Sequence, residues 1–272
     1  MKKFLNPTSI VSISLALSML LSFTSCDKEN VDNRPNLPPV ESLVMDFSAF
    51  NEQPAGKKAS ELSSENFLHA YLSVVFWNVA TTITMAVPVV AYGYALQQAP
   101  EYLGDNTWEW AFDFPLNNLD YTATLTGARI SNEEFSMKMI IGLALAPDQG
   151  IKWFDGIVRY DHTHATWNFF KEGSVKVLEA EWNKDFETEE ADLTYTYVEQ
   201  EMEETGSYIM LAYMPQEIYD ASYTISLAAN ETQIEWNTTT IEGRVMDLAK
   251  FGDTDWHCWD SKALGLVDRV CE

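Results

Sequence analysis

Residues 66–100 read NFLHAYLSVVFWNVATTITMAVPVVAYGYALQQAP, a run of 35 residues without Asp, Glu, Lys or Arg, bounded by Glu65 and Glu101. Phe67, Leu72, Val75, Phe76, Val79, Ile83 and Val87 put aliphatic and aromatic groups on every side of a helical wheel. That pattern predicts a helix buried all round, without the wet face of a surface helix. The run is also long enough to cross a bilayer, for which about 20 residues suffice. His69, Asn78, Thr81, Thr82 and Thr84 are costly in hydrocarbon, and Pro88 and Gly93 predict a break within the run. The expected element is therefore a core helix–kink–helix, breaking near Pro88.

Something must cover such a helix, and the C-terminal part of the chain changes to period two. Trp108, Trp110, Phe112 and Phe114 alternate with Glu109, Ala111 and Asp113, and similar segments follow at short spacing as far as residue 248. Turn residues punctuate them, among them Gly127, Gly150, Gly173, Gly206 and Asn230. The fold class expected is mainly β (α+β): a curled antiparallel sheet or partial barrel of about eleven strands around one long apolar N-terminal helix. Before the helix, Leu43, Met45, Phe47 and Ala49 alternate with polar or smaller neighbours, which predicts a first strand over 42–50. Residues 51–58 read as a turn, and Ser60 or Ser63 as the helix cap.

The N-terminus carries targeting information. Met1-Lys2-Lys3 is a basic region, and Ile10–Leu21 is apolar apart from serines, as in a signal peptide. Phe23-Thr24-Ser25-Cys26 resembles the bacterial lipobox, in which the chain is cut before the cysteine and the thiol carries a diacylglycerol. The division expected is a lipoprotein signal peptide over 1–25, a lipidated tether over 26–40 and one domain over 41–272, with Cys26 joining the protein to a membrane. Asp27-Lys28-Glu29 resembles the acidic export tag of surface-exposed lipoproteins, so the expected address is the outer membrane. Loss of residues 1–25 leaves 15 basic residues against 41 acidic, a net charge of −26. Such a surface repels nucleic acid, and none is expected as a partner. In an exported chain the remaining cysteines, Cys258 and Cys271, are expected as a disulfide; a metal site using His257 and Cys258 is the alternative.

Candidate sites are few. Trp108, Trp110, Phe112, Trp167, Phe169 and Trp236 fall on alternating strand positions and are expected to line an apolar cavity, or else to pack on the helix. His162 and His164 share a strand face, as do Glu179 and Glu181; solvated positions are the plainer explanation for both pairs. Residues 185–204 are rich in carboxylates and read as a solvated edge. GxSxG, HExxH and Gly-rich phosphate loops do not occur, so no catalytic residue, metal or cofactor is expected, and the protein reads as a non-enzyme.

Taken together, Pro38-Pro39-Val40-Glu41-Ser42, Met45-Asp46-Phe47-Ser48, Ile234-Glu235-Trp236-Asn237 and Trp256-His257-Cys258-Trp259-Asp260 resemble a family of outer-membrane lipoproteins of the Bacteroidota. In outline, one long helix with about eleven antiparallel strands is also similar to the half-barrels of lipoprotein carriers, which hold acyl chains. The expected function is a lipid-anchored envelope protein binding a hydrophobic ligand or acyl chain. The alternative is a module, filled by its own helix, that docks on another envelope protein.

Overall fold

The computed structural model describes residues 34–48, 64–227, 229–262 and 265–272, of which Pro35–Glu272 form one compact unit. The expected signal peptide over 1–25, Cys26, the turn expected over 51–58 and the cap candidates Ser60 and Ser63 lie outside the described residues. Pro35 and Pro38 are buried, so the last part of the expected 26–40 tether belongs to the folded unit.

Fourteen strands pair in sequence order into one antiparallel meander. They are β1 (Glu101–Gly104), β2 (Thr107–Leu116), β3 (Leu119–Arg129), β4 (Glu134–Leu143), β5 (Ile151–Arg159), β6 (His164–Lys171) and β7 (Val175–Lys184). The second half is β8 (Ala191–Tyr197), β9 (Tyr208–Tyr213), β10 (Ala221–Leu227), β11 (Asn230–Trp236), β12 (Gly243–Asp247), β13 (His257–Lys262) and β14 (Gly265–Arg269). The eleven strands expected after the helix form, as β2–β12, whereas the strand expected over 42–50 does not; the additional ones are β1, β13 and β14. The acidic run 185–204 occupies β8 and the loops flanking it, in mid-sheet, while the edges are β1 and β14.

The sheet is open, since β1 and β14 do not pair, yet it is strongly curled. Helix α1 (Glu65–Ala95) packs against β2, β6 and β12–β14. At about 4.8 Å per strand, β2 and β13 would stand about 50 Å apart in a flat sheet, against a helix about 10 Å across. Both can touch α1 only if the sheet bends around it. Register shifts at Met139/Ile140 and Phe169/Phe170 contribute local bending. Two glycines admit indoles from the neighbouring strand: a Cβ on Gly156 would lie 2.4 Å from Trp167 Cε3, and one on Gly243 2.3 Å from Trp259 Cζ2.

Helix α1 departs from the sequence reading in three ways. It runs through Pro88 without interruption, because its N-terminal and C-terminal halves pack on the same curled surface. Its cap is Ser64, whose hydroxyl accepts from Phe67 N–H at 3.0 Å and donates to Asp268 Oδ1 at 2.6 Å; Glu65 and Asn66 N–H also donate to the Asp268 carboxylate. Asp268 sits on β14, and the Cys258–Cys271 disulfide ties the chain just beyond β14 to β13 with 5.3 Å between Cα atoms. Third, α1 is not buried all round. Phe67, Ala70, Val74, Trp77, Thr81, Met85, Pro88 and Ala91 form a single buried stripe, and the opposite side is exposed.

The interior is aromatic. Phe67 meets Trp259 edge-on, Tyr92 packs edge-on against Phe154 and Trp167, and Tyr94 stacks on Phe112. Rings of this size dominate core energetics, and these pairings lock α1 to both flanks of the sheet.

Candidate functional site

The segment expected as a first strand is a strap, Pro35–Ser48, with one 3-10 turn at Val40–Ser42 and no ladder partner. Its apolar alternation is real: Leu43, Met45 and Phe47 are buried. Its backbone is satisfied by side chains of distant strands. Trp167 Nε1 on β6 donates to Ser42 O at 2.8 Å. Tyr195 Oη on β8 donates to Leu43 O and accepts from Met45 N–H, both at 2.8 Å. Tyr223 Oη on β10 donates to Asp46 O at 2.6 Å, and Tyr92 Oη on α1 donates to Pro38 O at 2.7 Å. The strap thus crosses β6, β8 and β10 in order on the concave side. Burial pushes the Tyr92, Tyr195 and Tyr223 hydroxyls well above the usual phenol range, so they stay neutral donors.

Strap and helix together fill the concave face, which settles where the expected lining residues lie. Trp108 and Trp110 are core residues of β2, Phe169 packs on Phe154, and Trp236 stacks on Tyr223 at 4.9 Å. Trp167 is committed to Ser42 and Tyr92, and half-buried Phe112 to Tyr94. These six pack against the protein's own side chains and do not line the groove described next. Their alternation on strands could not distinguish these roles, because core and cavity walls have the same period.

Between strap and helix lies a groove of about 530 Å³, within the range of small-ligand pockets. One wall is α1, through Asn78, Thr82, Met85, Ala86, Val89 and Val90. The other is Val44–Ser48 of the strap, with Tyr195 also in the lining. Leu116 and Asn117 complete it from the β2–β3 hairpin, whose Asn117 and Asn118 both have positive φ as a two-residue primed turn requires. The lining contains no Lys, Arg or His, and Asp46 is its one charged residue. Asp46 is exposed, and its carboxylate accepts from Ser48 N–H at 2.8 Å. Chemically, the groove can take an apolar chain; it offers no cation for an anionic head group.

A second polar centre, not anticipated from sequence, clasps α1 to the sheet. Buried Asp247, at the end of β12, accepts from Thr232 Oγ1 at 2.8 Å, Asn230 Nδ2 at 3.0 Å and Lys250 N–H at 3.1 Å, and meets His69 Nε2 at 2.8 Å. Burial raises its pKa, but His69 and the other donors outweigh that and hold it below the ordinary carboxylate range. Lys250 lies in the short helix α2 (Leu248–Phe251), whose Phe251 ring stacks on His257 and meets His69 edge-on. No local motif links positions 69, 232 and 247, so the centre is visible only in the fold.

The remaining candidates are separated. His162 lies in the β5–β6 turn, 3.0 Å from Asn36 O, whereas His164 bonds Asn183 Oδ1 at 2.8 Å. Glu179 pairs with Lys176, and Glu181 is exposed. Cys258 is in the disulfide, and His257 bonds Asp253. Among the described residues there is no group of three or more His, Cys, Asp or Glu arranged to hold a metal.

Fold and groove define a class: an open fourteen-stranded antiparallel meander, curled around a helix and a strap, with a ligand-sized apolar groove between them. Comparison with family models, curated proteins and solved structures finds no match to the chain.

Proposed function

We propose that this chain is a lipid-anchored protein of the cell envelope, without enzymatic activity, that holds the apolar chain of an uncharged or zwitterionic amphiphile. The observation that carries this reading is the groove of about 530 Å³ between α1 and Val44–Ser48, lined mainly by apolar side chains such as Met85, Val89, Val90 and Leu116 and free of basic ones. The lipobox-like Phe23–Cys26 and the preceding apolar segment support the anchor and the outer-membrane address.

The test uses a chain beginning at Asp27, which contains the whole folded unit. Organic extraction followed by mass spectrometry should recover about one acyl-chain lipid per protein. Ala86→Trp, placed in the groove wall, should displace it. An empty extract, together with no binding of a pyrene-labelled diacylglycerol, refutes the ligand reading. Labelling of Cys26 by radioactive palmitate in cells tests the anchor separately.

A docking module is the second reading, favoured by one observation: the aromatic concave face is occupied by the strap and α1. It predicts a reproducible envelope-protein crosslink in native membranes and no bound lipid.

A further inference from the structure

The outward side of α1 carries a continuous apolar stripe. Leu72, Phe76, Val79 and Ile83 succeed one another at intervals of four, three and four, which places them on one helical face. They are 55%, 50%, 56% and 78% exposed. Large exposed apolar surface marks an interaction site, and the chemistry around this one narrows what it meets.

Several hydroxyls of α1 are already satisfied within the helix. Ser73 Oγ donates to His69 O at 3.0 Å, Thr82 Oγ1 to Asn78 Oδ1 at 3.2 Å, and Thr84 Oγ1 to Ala80 O at 3.3 Å. Hydroxyls bonded back into their own helix lose little when water is removed. From Asn66 to Pro100 there is no cation to attract an acidic partner and no anion to attract a basic one. The surface matches hydrocarbon. A second copy is a poor fit, because each chain without its signal segment carries a net charge of −26.

Position points the same way. Nine Cα–Cα steps lead from Cys26 to Pro35, the first residue of the folded unit. Fully extended, they hold Pro35 within about 32 Å of the lipidated thiol. Resting on the lipidation of Cys26 proposed above, we infer that the Leu72–Ile83 stripe lies in the membrane interface, with its four apolar side chains among the acyl chains. Asn78, Thr82 and Ala86 line the groove and flank Val79 and Ile83 along α1, so the groove opens beside the stripe. A lipid chain could then pass from bilayer to groove without crossing bulk water.

The test is flotation of the chain beginning at Asp27, which has no lipid of its own, with uncharged phosphatidylcholine vesicles. Wild type should float, and Leu72→Lys and Ile83→Lys should each lower the partition coefficient about tenfold. Both side chains are exposed, so circular dichroism and melting should not change. If either variant misfolds, Phe76→Ser with Val79→Ser replaces it. Phosphatidylglycerol vesicles should bind less at low salt and recover as salt screens the acidic surface. Failure of wild type to float overturns the inference, as does equal flotation of wild type and variants. A concentration-dependent dimer abolished by the same substitutions overturns it in favour of a second copy. Groove lipid measured on the same samples separates the two proposals: variants that stop floating yet retain lipid isolate the stripe, and flotation of lipid-free wild type removes the groove reading alone.

Discussion

Replacing Tyr195 by Phe removes one oxygen from the centre of the molecule. That oxygen donates to Leu43 O and accepts from Met45 N–H, and Tyr195, Leu43 and Met45 are all buried. The ring and its packing remain, so no cavity is created. What remains is one buried backbone acceptor and one buried backbone donor without their side-chain partner, at about 1–3 kcal/mol each. The expected loss is about 2–6 kcal/mol, large against the roughly 5–15 kcal/mol that holds ordinary domains folded. Tyr197→Phe is the control: its hydroxyl bonds Glu199 Oε2 near the surface, where water can take its place, and should cost below about 1 kcal/mol. Urea unfolding of the chain beginning at Asp27 measures both, with an unchanged m value expected. Amide exchange supplies a local readout, since Met45 N–H should lose protection in Tyr195→Phe and keep it in Tyr197→Phe. A loss below about 0.5 kcal/mol in Tyr195→Phe, or a Met45 amide as protected as before, would refute the claim that the strap is held by side chains of the sheet.

Further expectations concern other parts of the same architecture. Asp247→Ala strips a shared acceptor from His69, Thr232, Asn230 and Lys250 N–H and should cost about 2–4 kcal/mol at pH 7. Because the folded pKa of Asp247 is depressed, its contribution is fully present above the unfolded value of about 3.9 and is lost as pH falls through the folded one. The gap between wild type and Asp247→Ala should accordingly narrow below pH 4, and a gap independent of pH would contradict the clasp. At the other extreme, Tyr92, Tyr195 and Tyr223 have raised folded pKa values, so their contribution is complete below about pH 10 and falls above it. Three such groups give a slope of up to about 4 kcal/mol per pH unit, and a flat urea midpoint between pH 10 and 11 would show that they ionise in the fold. Among glycines, Gly243→Ala forces a Cβ into Trp259 and should cost about 1–3 kcal/mol, while Gly93→Ala, with open space beside it in α1, should gain about 0.5–1 kcal/mol. Thermal melts of the pair check the sign.

Much of the sheet was legible because its signal is local. Alternation at period two, with turn residues between the runs, located β2–β12, and the pairing of neighbours in a meander follows from short connections. The strands that escaped notice have a reason in their composition. β1 is four residues long, and β13 and β14 mix charged and apolar positions without clean alternation. The disulfide was legible from the spacing of Cys258 and Cys271 together with the expectation of an exported chain.

The groove was not legible, because its walls come from positions that look like something else. Leu43, Met45 and Phe47 alternate as in a strand, yet the strap lies across the sheet and takes its hydrogen bonds from Tyr195 and Tyr223, more than 140 residues away. Local pattern records which side chains avoid water; it does not record which groups will satisfy the backbone. Helix α1 shows the same boundary. Its sequence alone determined that a long, uncharged, apolar helix would form and that a sheet of alternating strands would accompany it. With apolar groups on every side, it contains nothing to choose the buried face. Only the curl of the sheet, the Ser64–Asp268 cap and the Tyr92 and Phe67 contacts turned one stripe inward and left Leu72, Phe76, Val79 and Ile83 outside.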